Sequence, residues 1–557
     1  MSASSLAMPQ PTPAQLARGI ASAGPGQLSQ SPLLGILGVI IGAGVVSLTS
    51  RMISLGVADF RGHRGFGYDE GAWIGTAFDV GLMFIGPFTV YLGGLMGPRR
   101  ILLGAAGLFT LLSSLLPFIH SYALVIVALV LAGLSSGTFY PLTLTFALRS
   151  IPIRYLPFTI ALYASFVDGA VNLAPSLYGW YRDHLSWQWM FWNAAVITPV
   201  MMLCIYFGIP KSPPAREHHD PPSFAGFLYA SAGFALILAA CEQGERLDWW
   251  HSGVFTALVA SGAFLLLSSL VRRLLGPNPL VDMPYLAQRN TILLGIILFF
   301  FRFFLLTTIT LVPQSLSIHG FQADQIGPAV IWSAVSFVPL AIVAGFLLLS
   351  NVDARLLLAA GFASLAFASI LDAQMTSAWA AANFYRTEFL LAFGQCFAFI
   401  GLVSAIILQT VFTGGLLKPQ RALTFSAYFH TVRLFGGTLG AVALGRFIAE
   451  REKLHSNLLG LHVQQGSWIT DGSIKQLTAG ALAKSSGLAE AAGRAVDAVG
   501  ARLRLQAYTL SLNDGFYLIV CMCVIALLFV ACLRESPLQY GEISAMRHRA
   551  TTAEAEK

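Results

Sequence analysis

YALVIVALVLAGLSSGTFYPLTLTFA, residues 122–147, runs for 26 residues without one charged side chain. About 20 apolar residues in a helix cross the roughly 30 Å hydrocarbon core of a bilayer, so this stretch is long enough to span one. It lacks the alternation of a barrel strand. Similar runs lie on both sides of it, at 33–56, 74–96, 100–119, 157–178, 190–209, 224–242, 252–273, 291–313, 327–349, 356–373, 388–412, 423–447 and 515–534. Fourteen spanning helices are therefore expected, and the composition agrees. Of 557 residues 56% are hydrophobic and 11% charged, less than half the charge of a soluble domain. A soluble enzyme, a disordered scaffold and a nucleic-acid binder are all excluded on that ground.

The net charge of +7 belongs to the loops. With the N-terminus in the cytoplasm, the inner loops hold Arg99, Arg100, Arg149, Arg154, Lys211, Arg216, Arg272, Arg273, Arg289, Arg355, Lys418 and Arg421, against Arg61, Arg64, Arg182, Arg246 and Arg386 outside. This bias predicts that both termini are cytoplasmic. The first thirty residues lack a signal-peptide pattern and read as a disordered tail. Residues 448–514 are too long for the charge rule and suggest one or two amphipathic helices on the outer side.

No G-x-x-x-x-G-K-[ST] occurs, so the chain has no phosphate cradle of its own for ATP. Its eleven histidines are scattered rather than clustered for acid–base or metal chemistry, which argues against a membrane enzyme. His218 and His219 sit in the linker KSPPAREHHDPPS, residues 211–223, and read as solvated; the six cysteines lie in or beside apolar runs. No metal site and no disulfide framework is expected. A secondary transporter remains.

The order of short motifs points the same way. Asp69-Glu70-Gly71-Ala72-Trp73-Ile74 opens the second helix, and Gly97-Pro98-Arg99-Arg100 follows it. Then come Trp187-x-Trp189-x-Phe191-x-Asn193, Gly244-x-x-x-Asp248-Trp249, Asn278-Pro279-Leu280-Val281-Asp282, Arg289-Asn290, and Arg433 with Gly437 and Gly440. Over about residues 45 to 450 this series resembles the fourteen-helix drug–proton antiporter branch of the major facilitator superfamily, the EmrB/QacA type.

The resemblance implies an all-α polytopic membrane protein. A cytoplasmic tail (1–30) would precede a six-helix bundle (31–210), a linker with two additional helices (211–287), a second six-helix bundle (288–534, with a long periplasmic segment at 448–514) and a second tail (535–557). It implies residence in the inner membrane and proton-driven export of amphipathic molecules, drugs or organic and aromatic anions, by alternating access between the bundles. The proton gradient would serve in place of a cofactor. A periplasmic adaptor and an outer-membrane channel are the implied partners, beside the small-molecule substrate and the lipid bilayer. Uptake or exchange of a metabolite, and a transporter-like sensor or scaffold that moves nothing, are the alternatives.

The sequence departs from the family pattern at four places. Gly94 stands where an Asp of the loop between helices two and three is usual, leaving Gly97, Arg99 and Arg100 as the gating motif. Leu129 replaces an Arg in helix four. The Gly-Pro of helix five reads Ala174-Pro175, with Gly179 four residues on. Arg51 takes the place of an Asp in helix one, a change that should favour anions over cations.

Charges inside predicted spans are costly and need a partner or a purpose. Arg51, Arg302 and Arg433 are the substrate-binding candidates; Asp79 and Asp168 are the proton-carrying candidates, each with the alternative of a structural pair, for instance with Arg51. Arg302 lies within Phe299-Phe300-Phe301-Arg302-Phe303-Phe304, whose rings could stack on an aromatic acid or face lipid and other helices. Glu242 reads as a boundary charge, and His430 as a structural residue.

Overall fold

The computed structural model describes residues 32–143, 156–209, 224–275, 281–412, 419–464, 466–485, 487–535 and 539–540. Among these described residues fourteen helices are long and apolar enough to span a bilayer: α1 Leu33–Arg64, α2 Tyr68–Phe88, α3 Pro98–Phe118, α4 Tyr122–Thr143, α5 Leu156–His184, α6 Trp189–Gly208 and α7 Phe224–Gln243. The series continues with α8 Gly253–Leu274, α9 Arg289–Ser317, α10 Asp324–Leu349, α11 Ala354–Asp372, α12 Ala381–Gln409, α13 Leu423–Gly460 and α14 Leu488–Ala531. The N-terminal tail, Arg149, Arg154, Lys211, Arg216, the His218-His219 linker, Lys418 and the last residues lie outside the described ones.

Helices α1 to α6 pack among themselves, as do α9 to α14. The two groups meet where α5 lies along α10 and where α2 crosses α13. Helix α7 packs on α2, α13 and α8, whereas only 11% of the α8 span is buried, against 83% of α12. The two additional helices thus differ: α8 faces lipid and α7 belongs to the protein interior.

Glycines set how closely helices approach. A Cβ at Gly133 on α4 would lie 2.0 Å from Phe78 O on α2, and one at Gly81 would lie 2.2 Å from Val130 O on α4. Only bare backbone fits this crossing. The motif after α2 also has a backbone reason. Helix α2 continues as Thr89–Met96, which carries Gly94, and ends at Gly97 with φ +87°, a left-handed conformation that glycine adopts without strain. Pro98 then opens α3 at the position where its missing N–H is not needed. Pro175 lies inside α5 beside Ser176, which touches Gly327 of α10, and Gly179 is buried one turn on.

The ends of α13 and α14 correct the sequence reading. Hydropathy fades at Arg446, Glu450, Arg451 and Lys453, yet α13 runs unbroken to Gly460 and α14 begins at Leu488. Arg451 Nε donates to Asp514 Oδ2 at 2.6 Å and His455 Nε2 lies 2.7 Å from the same oxygen, so the two extensions are tied together. A short helix, Trp468–Ala481, lies between them. Where α7 turns toward α8, Arg246 pairs with Asp69 at 2.7 Å, joining two of the motif stretches in space. In that turn the Trp249 indole N–H and the Arg446 guanidinium hold the Glu245 carboxylate below its ordinary range.

Candidate functional site

Asp168 lies on α5 with 3% exposure, and among the described residues no hydrogen-bond donor reaches either of its carboxylate oxygens. The charges acting on it are Arg302 of α9 and Arg433 of α13. Both come from the opposite half of the molecule, so the neutralisation of this acid depends on the two halves being together.

Arg433 is buried against the N-terminal half. Its Nη2 donates to Tyr140 Oη at 2.8 Å, and its guanidinium carbon lies 4.0 Å from the centroid of that ring. Tyr140 of α4 also touches Ser47 of α1 through its hydroxyl and stands edge-on to Tyr163 of α5. Arg302 runs along α13 across a pair of glycines. A Cβ at Gly437 would lie 3.1 Å from its Nη2, and one at Gly436 would lie 3.2 Å from its Cβ.

The phenylalanines around Arg302 have other work. Phe301 stacks on Phe399 at 4.9 Å, Phe304 meets Phe362 at 5.3 Å, and Phe300 lies 5.9 Å from Phe529. They hold α9 to α12, α11 and α14.

Asp79 of α2 is half-buried and accepts a long bond, 3.5 Å, from Ser50 Oγ. Arg302 is the cation acting on it. The partner considered for it from sequence, Arg51, turns elsewhere. Arg51 Nη2 donates to Ile309 O at 2.6 Å, inside a π-helical turn, Thr307–Leu311, that interrupts α9. Such wide turns recur at functional sites. This hydrogen bond to a charged donor, worth about 1.5–3 kcal/mol, links α1 to α9 across the halves. Arg51→Ala is expected to loosen that closure and to weaken transport of anionic compounds relative to cationic ones. Unchanged selectivity in a paired transport assay overturns the assignment of Arg51 to substrate.

Glu242 is not a boundary charge. The last turn of α7 leans on α2, because Gln243 Nε2 donates to Ala72 O at 3.0 Å and to Thr76 Oγ1 at 2.7 Å. Glu242 thereby faces inward. Its Oε1 accepts from Thr438 Oγ1 of α13 at 3.5 Å, and it acts electrostatically on Asp79.

A second feature not expected from sequence is an uncharged bridge. Asn172 Nδ2 of α5 donates to Gln395 Oε1 of α12 at 3.3 Å, and Gln395 Nε2 donates to Thr308 Oγ1 in the π turn at 3.0 Å. All three side chains are buried. Amides that can donate and accept suit a junction that is broken and remade. His430, 2% exposed, is packed on Gly86 of α2. Among the motif residues, Arg99 is tied to the end of α6, with Nη2 donating to Tyr206 O at 2.6 Å, while Arg100 is exposed.

A bundle pair with its charges at the seam is the arrangement expected of a transporter, and residues 39–441 match the family model described as Major Facilitator Superfamily. The chain belongs to the major facilitator superfamily. It is a multi-pass membrane transporter of small molecules. Among curated relatives of this superfamily transporter, the probable multidrug resistance protein EmrY of Escherichia coli is 24% identical, over 75% of this chain and 80% of its own. The fatty acid resistance protein FarB of Neisseria gonorrhoeae is 23% identical over the same shares. The fold is similar to the structure of the proton:xylose symporter XylE, with a TM-score of 0.51 at 14% identity, covering 93% of this chain and 99% of that one.

Proposed function

We propose that this transporter is a proton-driven exporter of amphipathic small molecules, working by alternating access at the seam between the halves. The observation that carries this reading is Asp168, an acid buried in one half and balanced by Arg302 and Arg433 of the other. Parting of the halves separates Asp168 from Arg302 and Arg433, so the proton occupancy of this acid is linked to which arrangement the halves adopt. Asp79 shares Arg302 and acts in the same circuit. Relatives named for multidrug resistance and for fatty acid resistance fit an amphipathic cargo, and the inner membrane, with both termini cytoplasmic, is the setting we assign. The projecting ends of α13 and α14 are the surface on which a periplasmic adaptor, leading to an outer-membrane channel, would dock. No cofactor beyond the proton gradient is proposed.

The charge balance sets the sign of coupling. Binding energies are reciprocal. A proton on Asp168 leaves Arg302 and Arg433 less compensated, so an anion at those guanidiniums binds the protonated protein more tightly and a cation binds it less tightly. A cationic amphiphile can therefore compete with protons and be exchanged for them. An anion instead travels with the proton. Three guanidiniums, Arg51, Arg302 and Arg433, stand with three acids, Asp79, Asp168 and Glu242, so a proton on any one acid leaves the set net positive, which favours a second reading, proton-linked anion movement of the uptake type, for fully ionised acids.

Proteoliposomes carrying a pH dye separate the two. Efflux of a cationic amphiphile is expected to drive protons the opposite way. Protons moving with an organic anion, and anion affinity rising up to about tenfold per unit fall in pH for one linked proton, establish the second reading. No proton movement with any compound overturns both.

A further inference from the structure

Away from the central charges, the C-terminal half buries a second pair of acids. Asp372 is the last residue of α11, and Glu388 lies seven residues into α12. Both have 0% exposure. Among the described residues neither oxygen of Asp372 has a hydrogen-bond partner, and neither has Glu388 Oε1. Glu388 Oε2 lies against the hydroxyl of Ser333 on α10.

The surrounding polar groups are hydroxyls. Ser369, fully buried and with an unpartnered Oγ, sits one turn before Asp372 on the same face of α11. Thr387 stands beside Asp372 but donates its hydroxyl to Phe384 O at 3.0 Å. The charged group that acts on Glu388 is Asp372 itself. Among the described residues no lysine, arginine or histidine forms an ion pair with either acid. This sets the pair apart from Asp79 and Asp168, which have guanidiniums to balance them.

We propose that Asp372 and Glu388 form a second proton-binding site, distinct from the central cluster, in which a carboxyl proton is held between the two acids and their hydroxyl neighbours. Two unbalanced carboxylates in an apolar surrounding are unstable as a pair of anions, and a proton removes the conflict without a counter-ion. The site lies just under the turn 373–380. That turn is fastened from above by the extension of α14, where Asn513 Nδ2 donates to Met375 O at 2.9 Å and Gln506 Nε2 donates to Ser377 Oγ at 2.9 Å. Protons from the aqueous phase at that end enter past this fastening, so the extension of α14 sets how fast the site fills and not how much it holds.

Proton binding is read without any substrate, so this test stands apart from the exporter reading; only the role of the site in coupling rests on that reading. The full-length protein in liposomes is titrated with pH while the infrared carbonyl band of protonated carboxyls is followed. Glu388→Gln and Asp372→Asn, alone and together, keep side-chain size and mimic the neutral state, and each protein is first checked for a monodisperse elution profile and an unchanged helical spectrum. The double variant is expected to lose carbonyl-acid intensity that Asp79→Asn and Asp168→Asn retain. Asn513→Ala with Gln506→Ala is expected to leave the intensity in place and to speed its exchange with deuterium. In transport, the double variant is expected to carry one proton fewer per cycle. The proposal is overturned if the double variant's spectrum matches that of the unaltered protein, or if the band appears only when sodium is removed, which would make the pair a metal-cation site.

Discussion

Asp168→Asn is expected to abolish proton-driven transport while leaving exchange of substrate across the membrane intact. The amide matches the carboxylate in size but carries no charge and releases no proton. In the closed arrangement Arg302 and Arg433 then lose the carboxylate that acts on both, while Asp79 still acts on Arg302, and removing one member of a buried charge set costs about 3–5 kcal/mol. Two readouts follow. The thermal midpoint in detergent falls, and substrate-induced pH change in vesicles disappears. Asp168→Glu, which restores the charge, is expected to recover the first readout more fully than the second. If Asp168→Asn and Asp79→Asn both still move protons during export, neither residue is the carrier.

The other large effect is expected at Gly133→Val. The new Cβ would lie 2.0 Å from Phe78 O, a backbone atom that cannot rotate away. Overpacking of a side chain alone costs about 1–3 kcal/mol; here α2 and α4 themselves must separate. Because Asp79 follows Phe78, the separation also moves the acid from its place beside Arg302. Loss of folded protein in a fluorescence-detected size-exclusion assay is the expected result, and any protein that survives should be uncoupled. Gly104→Ala, where nothing lies within 4 Å of the added carbon, is the matched control and should be silent. Equal yields for the two variants would show that the α2–α4 crossing is not a tight one.

The spans were readable because a bilayer imposes one simple demand, some twenty uncharged residues in a row. Where a helix leaves the bilayer that demand ends, and hydropathy stopped short at Arg446 although α13 runs on to Gly460. The charges Arg51, Asp79, Asp168, Arg302 and Arg433 stood out from sequence because each interrupts an apolar run. Their partners did not, since pairing depends on how the helices rotate and cross: Arg51 meets a main-chain oxygen in a π turn rather than an aspartate. Glu242 reads from sequence as a boundary charge, and Asp372 does not stand out at all, because each sits at the end of a span, where a charge ordinarily reaches water. Glu388, at the start of an apolar run and next to Arg386 and Thr387, looked the same. Only packing distinguishes an acid that reaches solvent from one sealed beneath a turn. Gln395 and Asn172 carry no charge and drew none of the attention that charge attracts.

Helix α13 is one continuous rod from Arg433 in the charge cluster to Gly460, a length of about 40 Å at 1.5 Å per residue. A rod pivoted at its buried end is a lever. A tilt of about 10° near Arg433 carries the far tip through about 7 Å on that length, and the Arg451–Asp514–His455 clasp makes α14 swing with it. On the proposed proton cycle, small adjustments at the charge cluster would be magnified into motion at the far tips, and whatever rests on those two helix ends would feel each turn of the cycle as a stroke.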